Sequence, residues 1–377
     1  MRLTQTYSKN ENVLDAAKRR VKFIFDNFTD IKVSVSGGKD STVLAHLMLN
    51  EAKLRNRKIG LFFLDEEVVY SSTIEQVEYL MEEMAPKNVT PLWLQIEFNL
   101  TNSTSLKERH LVAWESGKHK LWMRPKKSYA IKFPNWNIEN QKMENKEIGL
   151  GFYAVIENFE NCYKNSAFVV GLRATESPNR WRTVSKNPIH VNGSNVYWGT
   201  KKGENFSVYP LYDWNFHDIW KYIFDNKLKY SKIYDYQFRK GMNIQEMRIS
   251  SLIHEKSFKS LVEMPEFEPK TYNRLVKRLK GIELAQETGK SATLFKVSKL
   301  PKNFTSWLMY RDFLIKTHPE ASKANLFVKR FAKHLKNERV AKQQVRQLLL
   351  NDTENNIPVS NKPDPRDELL AYYKEVL

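Results

Sequence analysis

Ile31-Lys32-Val33-Ser34-Val35-Ser36-Gly37-Gly38-Lys39-Asp40-Ser41-Thr42-Val43-Leu44 is the stretch on which the fold turns. A β-branched run from Ile31 to Val35 stops at Ser36-Gly37-Gly38. Apolar residues then recur at helical spacing through Val43, Leu44, Leu47 and Met48. The spacing predicts a strand, a tight loop of small residues, and a helix N-terminus. Such a junction aims several backbone N–H groups and the positive end of a helix dipole at one point, which suits a phosphate. Gly37 and Gly38 permit close approach and positive φ. Lys39 adds a point charge, Ser36 and Ser41 add hydroxyl donors, and Asp40 can cap the helix or hold a metal-bound water.

Spacing separates this loop from commoner phosphate loops. A Walker A loop places Gly-Lys-Ser/Thr together, whereas here Asp40 stands between Lys39 and Ser41. A dinucleotide fingerprint needs a third glycine, and none follows Gly38 at the required distance. The string Ser-Gly-Gly-Lys-Asp-Ser resembles the PP-loop of ATP pyrophosphatases, enzymes that cleave ATP between its α and β phosphates.

Outward from the loop, strands and helices alternate. A helix is expected over about 10–28 and strands over 58–64 and 90–96, with a helix over 71–84 between them. After a further helix over 149–164, strands follow at 167–171 and 206–211. Alternation of this kind with apolar strands predicts an α/β fold with a Rossmann-like, doubly wound parallel sheet. The alternation is broken by a polar, basic and aromatic insertion at about 98–147, with Trp114, Trp122, Trp136 and Arg124-Pro-Lys-Lys127. An insertion this long in a compact domain is more often functional than incidental. The expected organisation is a nucleotide-binding α/β domain over 1–250 and a helical, basic C-terminal region over 251–377.

Composition bounds the chemistry. The chain has 377 residues and a formal net charge of +18, which favours a polyanionic partner. Its single cysteine, Cys162, excludes an internal disulfide or a Cys-ligated cluster held by this chain alone, and is expected to be a small buried hydrophobe. No apolar run reaches bilayer length, so a cytoplasmic protein is expected. From Lys323 to Arg346, eight basic residues (Lys323, Lys329, Arg330, Lys333, Lys336, Arg339, Lys342, Arg346) stand against one acid, Glu338. This basic helix offers a nucleic-acid contact, with Leu326, Phe327, Phe331, Leu335 and Val345 as its buried stripe.

Two further motifs fall at strand ends. Gly171-Leu-Arg-Ala-Thr-Glu-Ser-Pro-Asn-Arg180 follows one strand directly. In an open α/β sheet, ligands bind beyond the carboxyl ends of the strands, which puts Arg173, Glu176, Ser177 and Arg180, with Gly171 ahead of them, on the rim that carries the loop. Arginine suits phosphate through its rigid fork. At the next strand end, Asp213 is expected to cap a helix, and Trp214 and Trp220 to lie in the core.

The glycine loop, the Gly-Leu-Arg-x-x-Glu-Ser-x-x-Arg segment and Pro210-Leu-Tyr-Asp-Trp214, in that order, resemble the phosphoadenosine phosphosulfate (PAPS) reductase family, and within it the IbrA/YbdN-like branch. The resemblance covers about 10–255. It implies a sheet of about five parallel strands with adenine in a cleft at their ends and ATP or PAPS as the nucleotide. Ser36 to Ser41 would cradle phosphates, Arg173 and Arg180 would contact phosphate or sulfate, and Asp65 would lie near the adenosine. It also implies a ParB-like companion protein. The family's reductases attack sulfate with a cysteine on a Glu-Cys-Gly-x-His element, which this chain lacks.

The expected chemistry is therefore adenylyl or sulfo-group transfer, with Lys39, Asp40 and Arg173 as catalytic residues and Mg²⁺ bridging the phosphates. One alternative is ATP-dependent sulfur or nitrogen insertion into a nucleic acid. Another is a nucleotide-sensing regulator that binds DNA. Trp122, Arg124, Lys126 and Lys127 are expected to form a lid over the nucleotide.

Overall fold

Helix α1 (Val13–Asn27) and β1 (Ile31–Ser34) are followed by the two elements that set the architecture, α2 (Lys39–Leu54) and then β2 (Ile59–Leu64). Helix α3 (Ser71–Glu78) leads to β3 (Val89–Leu94). In this computed structural model the described residues are 11–105, 108, 110–132, 150–184, 187–244, 247–249, 251–254, 258–282, 300–353 and 355. They form two compact units, one ending at 282 and one beginning at 300.

In the first unit, β4 (Phe98–Thr101) and β5 (His110–Ala113) make a hairpin within the insertion. Helix α4 (Phe152–Asn161) then feeds β6 (Ala167–Val169), followed by α5 (Pro178–Val184). A second hairpin, β7 (Ile189–Val191) and β8 (Ser194–Val196), precedes β9 (Gly199–Lys202) and β10 (Asn205–Val208). The main sheet has the order β3-β2-β1-β6-β10-β9. Its first five strands are parallel and β9 is an antiparallel edge. All six residues of β2 are buried, which is why that strand reads as a continuous apolar run rather than an alternating one.

The strand order fixes where a ligand can sit. From β1 the chain moves outward to β2 and β3, then returns to the other side of β1 for β6 and β10. The sheet therefore changes direction between β1 and β6, and the loops that follow these two strands diverge to leave a crevice. Residues 35–41 and 170–180 are those loops. The doubly wound parallel sheet expected from the sequence is observed. Strand β9 escaped notice because Gly-Thr-Lys-Lys carries no β pattern of its own and exists by pairing with β10.

Several expectations are revised. Helices α6 (Phe216–Asp225), α7 (Ile233–Arg239), α8 (Phe258–Phe267) and α9 (Pro269–Arg278) all belong to the first unit, so its described part extends past the boundary expected at 250. Asp213 does not cap α6. Asn215 does, accepting from the His217 and Asp218 amides, with Asp218 returning a bond to the Asn215 amide. Asp213 instead forms a buried bidentate pair with Arg20 of α1, at 2.6 and 2.8 Å. Trp214 is buried as expected, whereas Trp220 is half-buried against Tyr230 and Tyr234. Cys162 is exposed, because α4 ends on it at the surface. Trp136 lies outside the described residues.

The second unit packs α10 (Trp307–Lys316), α11 (Ala321–Phe331) and α12 (Glu338–Leu349) around Phe327, Phe331 and Leu348. The basic stretch from Lys323 to Arg346 is thus not one helix. Asn337 accepts from the Val340 amide and starts a new one. Phe327, Phe331 and Val345 are buried, but Leu326 and Leu335, expected in the same stripe, are exposed. No helix among the described residues is long and apolar enough to cross a membrane.

Candidate active site

The loop after β1 is built so that only glycine fits its first turn. Gly37 has φ +69°, and a methyl group there would stand 2.7 Å from the Thr73 carbonyl oxygen of α3. This close approach is what brings the loop against the first turn of α3. Gly38 is the N-cap of α2 and lends no side chain to the helix, so its first N–H groups stay outside the helical ladder. Ser41 Oγ bonds to the Gly38 carbonyl at 3.0 Å and accepts from the Ser36 amide at 3.2 Å, which closes the loop on itself. Ser36 and Ser41 hydroxyls are also 3.2 Å apart.

Lys39 is buried, and its ammonium is held by three groups. It donates to the Met247 carbonyl at 3.2 Å, lies 3.4 Å from Asp40 and stands 5.3 Å from the centre of the Tyr234 ring. Tyr234 Oη also accepts from the Lys39 amide at 3.0 Å. Burial, and secondarily the Asp40 charge, push the Tyr234 phenol well above its usual range, so it remains protonated.

The loop after β6 meets the first. A methyl group at Gly171 would touch the Asp40 carbonyl at 3.3 Å, so glycine lets the two loops close up. Arg173, 5% exposed, pairs through Nε with Asp40, and its Nη2 lies 3.2 Å from Glu176. Glu176 in turn pairs with Arg180, which is nearly half exposed. Lys39, Asp40, Arg173, Glu176 and Arg180 form one continuous ion-paired chain from the buried loop to the surface. Three cations against two carboxylates leave it net positive beside the N-terminus of α2, a field that favours an anion.

Asp65, the next strand-end residue, is fully buried at the end of β2. Its carboxylate accepts from the Glu67 amide at 3.0 Å, Trp93 Nε1 at 2.8 Å, Gln95 Nε2 at 2.9 Å and the Arg124 guanidinium. With all of these donors engaged, Asp65 anchors the insertion to the sheet. Glu67 does the same for α9. It has φ +64°, is fully buried, and takes Arg278 Nε at 2.8 Å and the Trp114 amide at 2.7 Å. Between them, Glu66 faces Ser251, and burial pushes its carboxyl up to about 6.

The expected lid residues are close to this corner. Arg124 is stacked 5.3 Å from the Trp114 ring centre, and Lys126 lies 4.8 Å from that of Trp122. Together with Trp93, Gln95, Ile74 and Glu78, the 124–127 segment lines a cavity of about 290 Å³. Tyr234, Met247, Glu67 and Arg278 carried no sequence signal for this rim. Tyr234, Met247 and Arg278 arrive from distant segments, and Glu67, though next to Asp65, reads as a solvated charge until the fold is known.

A family model described as "Phosphoadenosine phosphosulfate reductase domain" matches residues 30–241, and one described as "Domain of unknown function (DUF3440)" matches residues 241–359. Uncharacterized protein YbdN of Escherichia coli (strain K12) is 26% identical over 277 residues, covering 72% of this chain and 66% of its own. The chain thus spans slightly less than two thirds of that relative. The crystal structure of PAPS reductase from Candida auris is similar with a TM-score of 0.33 and 11% identity, over 62% of this chain and 94% of that one. Candida glabrata FMN adenylyltransferase in complex with FAD and inorganic pyrophosphate gives a TM-score of 0.34 and 15% identity, over 62% and 64%.

Proposed function

Because the chain belongs to the phosphoadenosine phosphosulfate reductase domain family, we propose that it binds ATP or PAPS in the crevice between the 36–41 and 171–180 loops and transfers an adenylyl or sulfo group. The observation that carries this reading is the ion-paired chain from Lys39 to Arg180, set beside the N-terminus of α2 at the point where the sheet changes direction. Loop amides and Lys39 would grip the phosphate or phosphosulfate end. Arg173 would neutralise charge that develops at the group being transferred.

Two balanced reactions fit. With ATP, an acceptor oxygen forms a bond to the α-phosphorus, the α–β bridge breaks, and pyrophosphate leaves. With PAPS, the acceptor bonds to sulfur, the sulfur–oxygen bridge breaks, and adenosine bisphosphate leaves. Thiol attack is disfavoured because Cys162 precedes β6 and so lies at the amino end of a strand whose carboxyl end carries the site. Mg²⁺ would be carried chiefly by the phosphates. Among the described residues, no group of three His, Cys, Asp or Glu side chains is gathered to hold an ion. Asp40 is the nearest carboxylate and is shared with Arg173.

Calorimetry with each nucleotide, followed by assays for pyrophosphate and adenosine bisphosphate, tests the reading. Binding of one nucleotide is expected, with release of its matching product. Lys39→Ala should lower the rate by roughly two to four orders of magnitude. Absence of binding by either nucleotide overturns it.

A second reading has the acceptor as a nucleic acid. Lys329, Lys333, Lys336, Lys342 and Arg346 are all exposed on the second unit, which favours a polyanion. A steep fall of nucleic-acid affinity with salt is expected, and salt-independent or absent binding removes this reading.

A further inference from the structure

We propose that the second unit takes single-stranded nucleic acid along an aromatic strip at α10, stacking unpaired bases on its rings. This rests on the nucleic-acid reading above and adds to it the form of the strand and the residues that meet its bases.

The strip is four rings in unbroken succession. Phe313 lies 5.2 Å from Phe304, Phe304 lies 4.8 Å from Tyr310, and Tyr310 lies 6.4 Å from Trp307, centre to centre. Neighbouring planes are tilted by 39° to 55°, so no ring lies flat on the next. Trp307, Tyr310 and Phe313 recur every third residue of α10, and Phe304 joins them from the segment before it. The core of the unit is a different cluster, in which Phe327, Phe331 and Leu348 meet Leu314 and Ile315. Phe313 is 47% exposed and Met309, one turn before it, 52%. Phe304, Trp307 and Tyr310 are half-buried. Contiguous apolar surface of this kind marks a contact site more often than chance exposure.

Charge selects the occupant. From 300 to 353 the chain carries eleven Lys and Arg against four Asp and Glu. Asp312 is paired with Arg311 and Glu320 with Lys323, which leaves nine cations against Glu338 and Asp352. Glu338, one turn before Lys342, spends its two oxygens on the Trp307 and Leu308 amides. Lys342 Nζ stands 5.4 Å from the Trp307 ring centre at one end of the strip, and Lys316 follows Phe313 by one turn at the other. Both are exposed, and neither has an ion-pair partner among the described residues. A second copy of this chain would bring these cations against themselves, and an apolar protein face would leave them without counter-charge. A strand of nucleotides supplies π-faces for the rings and phosphates for the ammoniums together. In a duplex the base faces are closed on one another, so rings reach them only where the strand is unpaired.

Fluorescence anisotropy of the full chain tests the proposal with three labelled probes of one length, about twelve nucleotides. These are an oligothymidine, a strand of abasic sites with the same phosphates, and a duplex. The oligothymidine is expected to bind at least about tenfold tighter than either of the others, since stacking on one aromatic side chain is worth that much. Phe313→Ala and Tyr310→Ala should each weaken the oligothymidine about tenfold and leave the abasic strand unchanged. Lys342→Gln should weaken all three and reduce the salt dependence. Equal binding of the oligothymidine and the abasic strand, a duplex bound as tightly as the single strand, or unchanged affinity in Phe313→Ala overturns the proposal. The comparison of probes on the unaltered chain decides it even if a variant does not fold. Salt-sensitive binding without preference for unpaired bases overturns this inference and leaves the nucleic-acid reading standing, whereas absence of binding by all three probes removes both.

Discussion

Lys39 Nζ donates to the carbonyl oxygen of Met247, 208 residues away in sequence, at 3.2 Å. The lysine belongs to the part of the chain matched by the reductase-domain model, whereas Met247 lies in the part described as a domain of unknown function. The cation that distinguishes the loop is therefore held by a segment outside the nucleotide-binding fold proper. On the proposed function, a phosphate would compete with one neutral carbonyl and with Asp40 for that ammonium. A charged acceptor in a buried setting wins such a competition against a neutral one.

Gly37→Ala should damage the loop and its ligand affinity together. The backbone is at φ +69°, and the new methyl group would meet the Thr73 carbonyl at 2.7 Å. A non-glycine residue held in this region costs about 1–3 kcal/mol before the clash is counted. Urea unfolding and nucleotide calorimetry should both register the change. Unaltered values in both would mean that the loop relaxes freely.

Asp213→Ala should destabilise the protein by about 3–5 kcal/mol, since it strands the buried Arg20 guanidinium without its carboxylate. Replacing both partners by apolar residues, as in Arg20→Met with Asp213→Leu, should recover most of the loss. Chemical denaturation of the two variants measures the difference. Equal losses would show that the pair is not the source.

Glu66 makes stability depend on pH in a defined window. Its folded carboxyl titrates near 6 against an ordinary 4.5, because burial disfavours the charged form. Between these values the folded state holds more proton than the unfolded state, so stability falls as pH rises from 4.5 to about 6 and then levels. The total is on the order of 2 kcal/mol. Glu66→Gln should flatten the unfolding free energy across this window, leaving it unchanged below pH 4.5 and raising it by that amount above about pH 6.

Cys162→Ser should leave turnover unchanged, and maleimide should label the native thiol readily, since Cys162 is exposed at the end of α4. Loss of product formation on labelling, with the fold intact, would return the thiol to the chemistry.

Much of the fold was legible because β1, the glycine loop and α2 are contiguous, and each is specified by local chemistry: β-branched residues, then glycines, then apolar residues at helical spacing. Asp213 was misread for the complementary reason. Its helix-capping potential is local and visible, but its actual partner, Arg20, lies in α1, so tertiary pairing overrode the local preference. The basic stretch 323–346 looked like one helix because lysine and arginine are good helix formers, and the break depends on how Asn337 caps the next segment.

The sequence by itself determined the parallel sheet, the glycine loop and the residue types on its rim, since each follows from interactions over a few neighbouring positions. Tertiary structure alone decided which of those residues meet. It joined Asp40 to Arg173, turned Lys39 onto Met247 and Tyr234, and committed Asp65 to Arg124 and Trp93. Buried charges must find partners wherever the chain brings them, and sequence distance carries no record of that meeting.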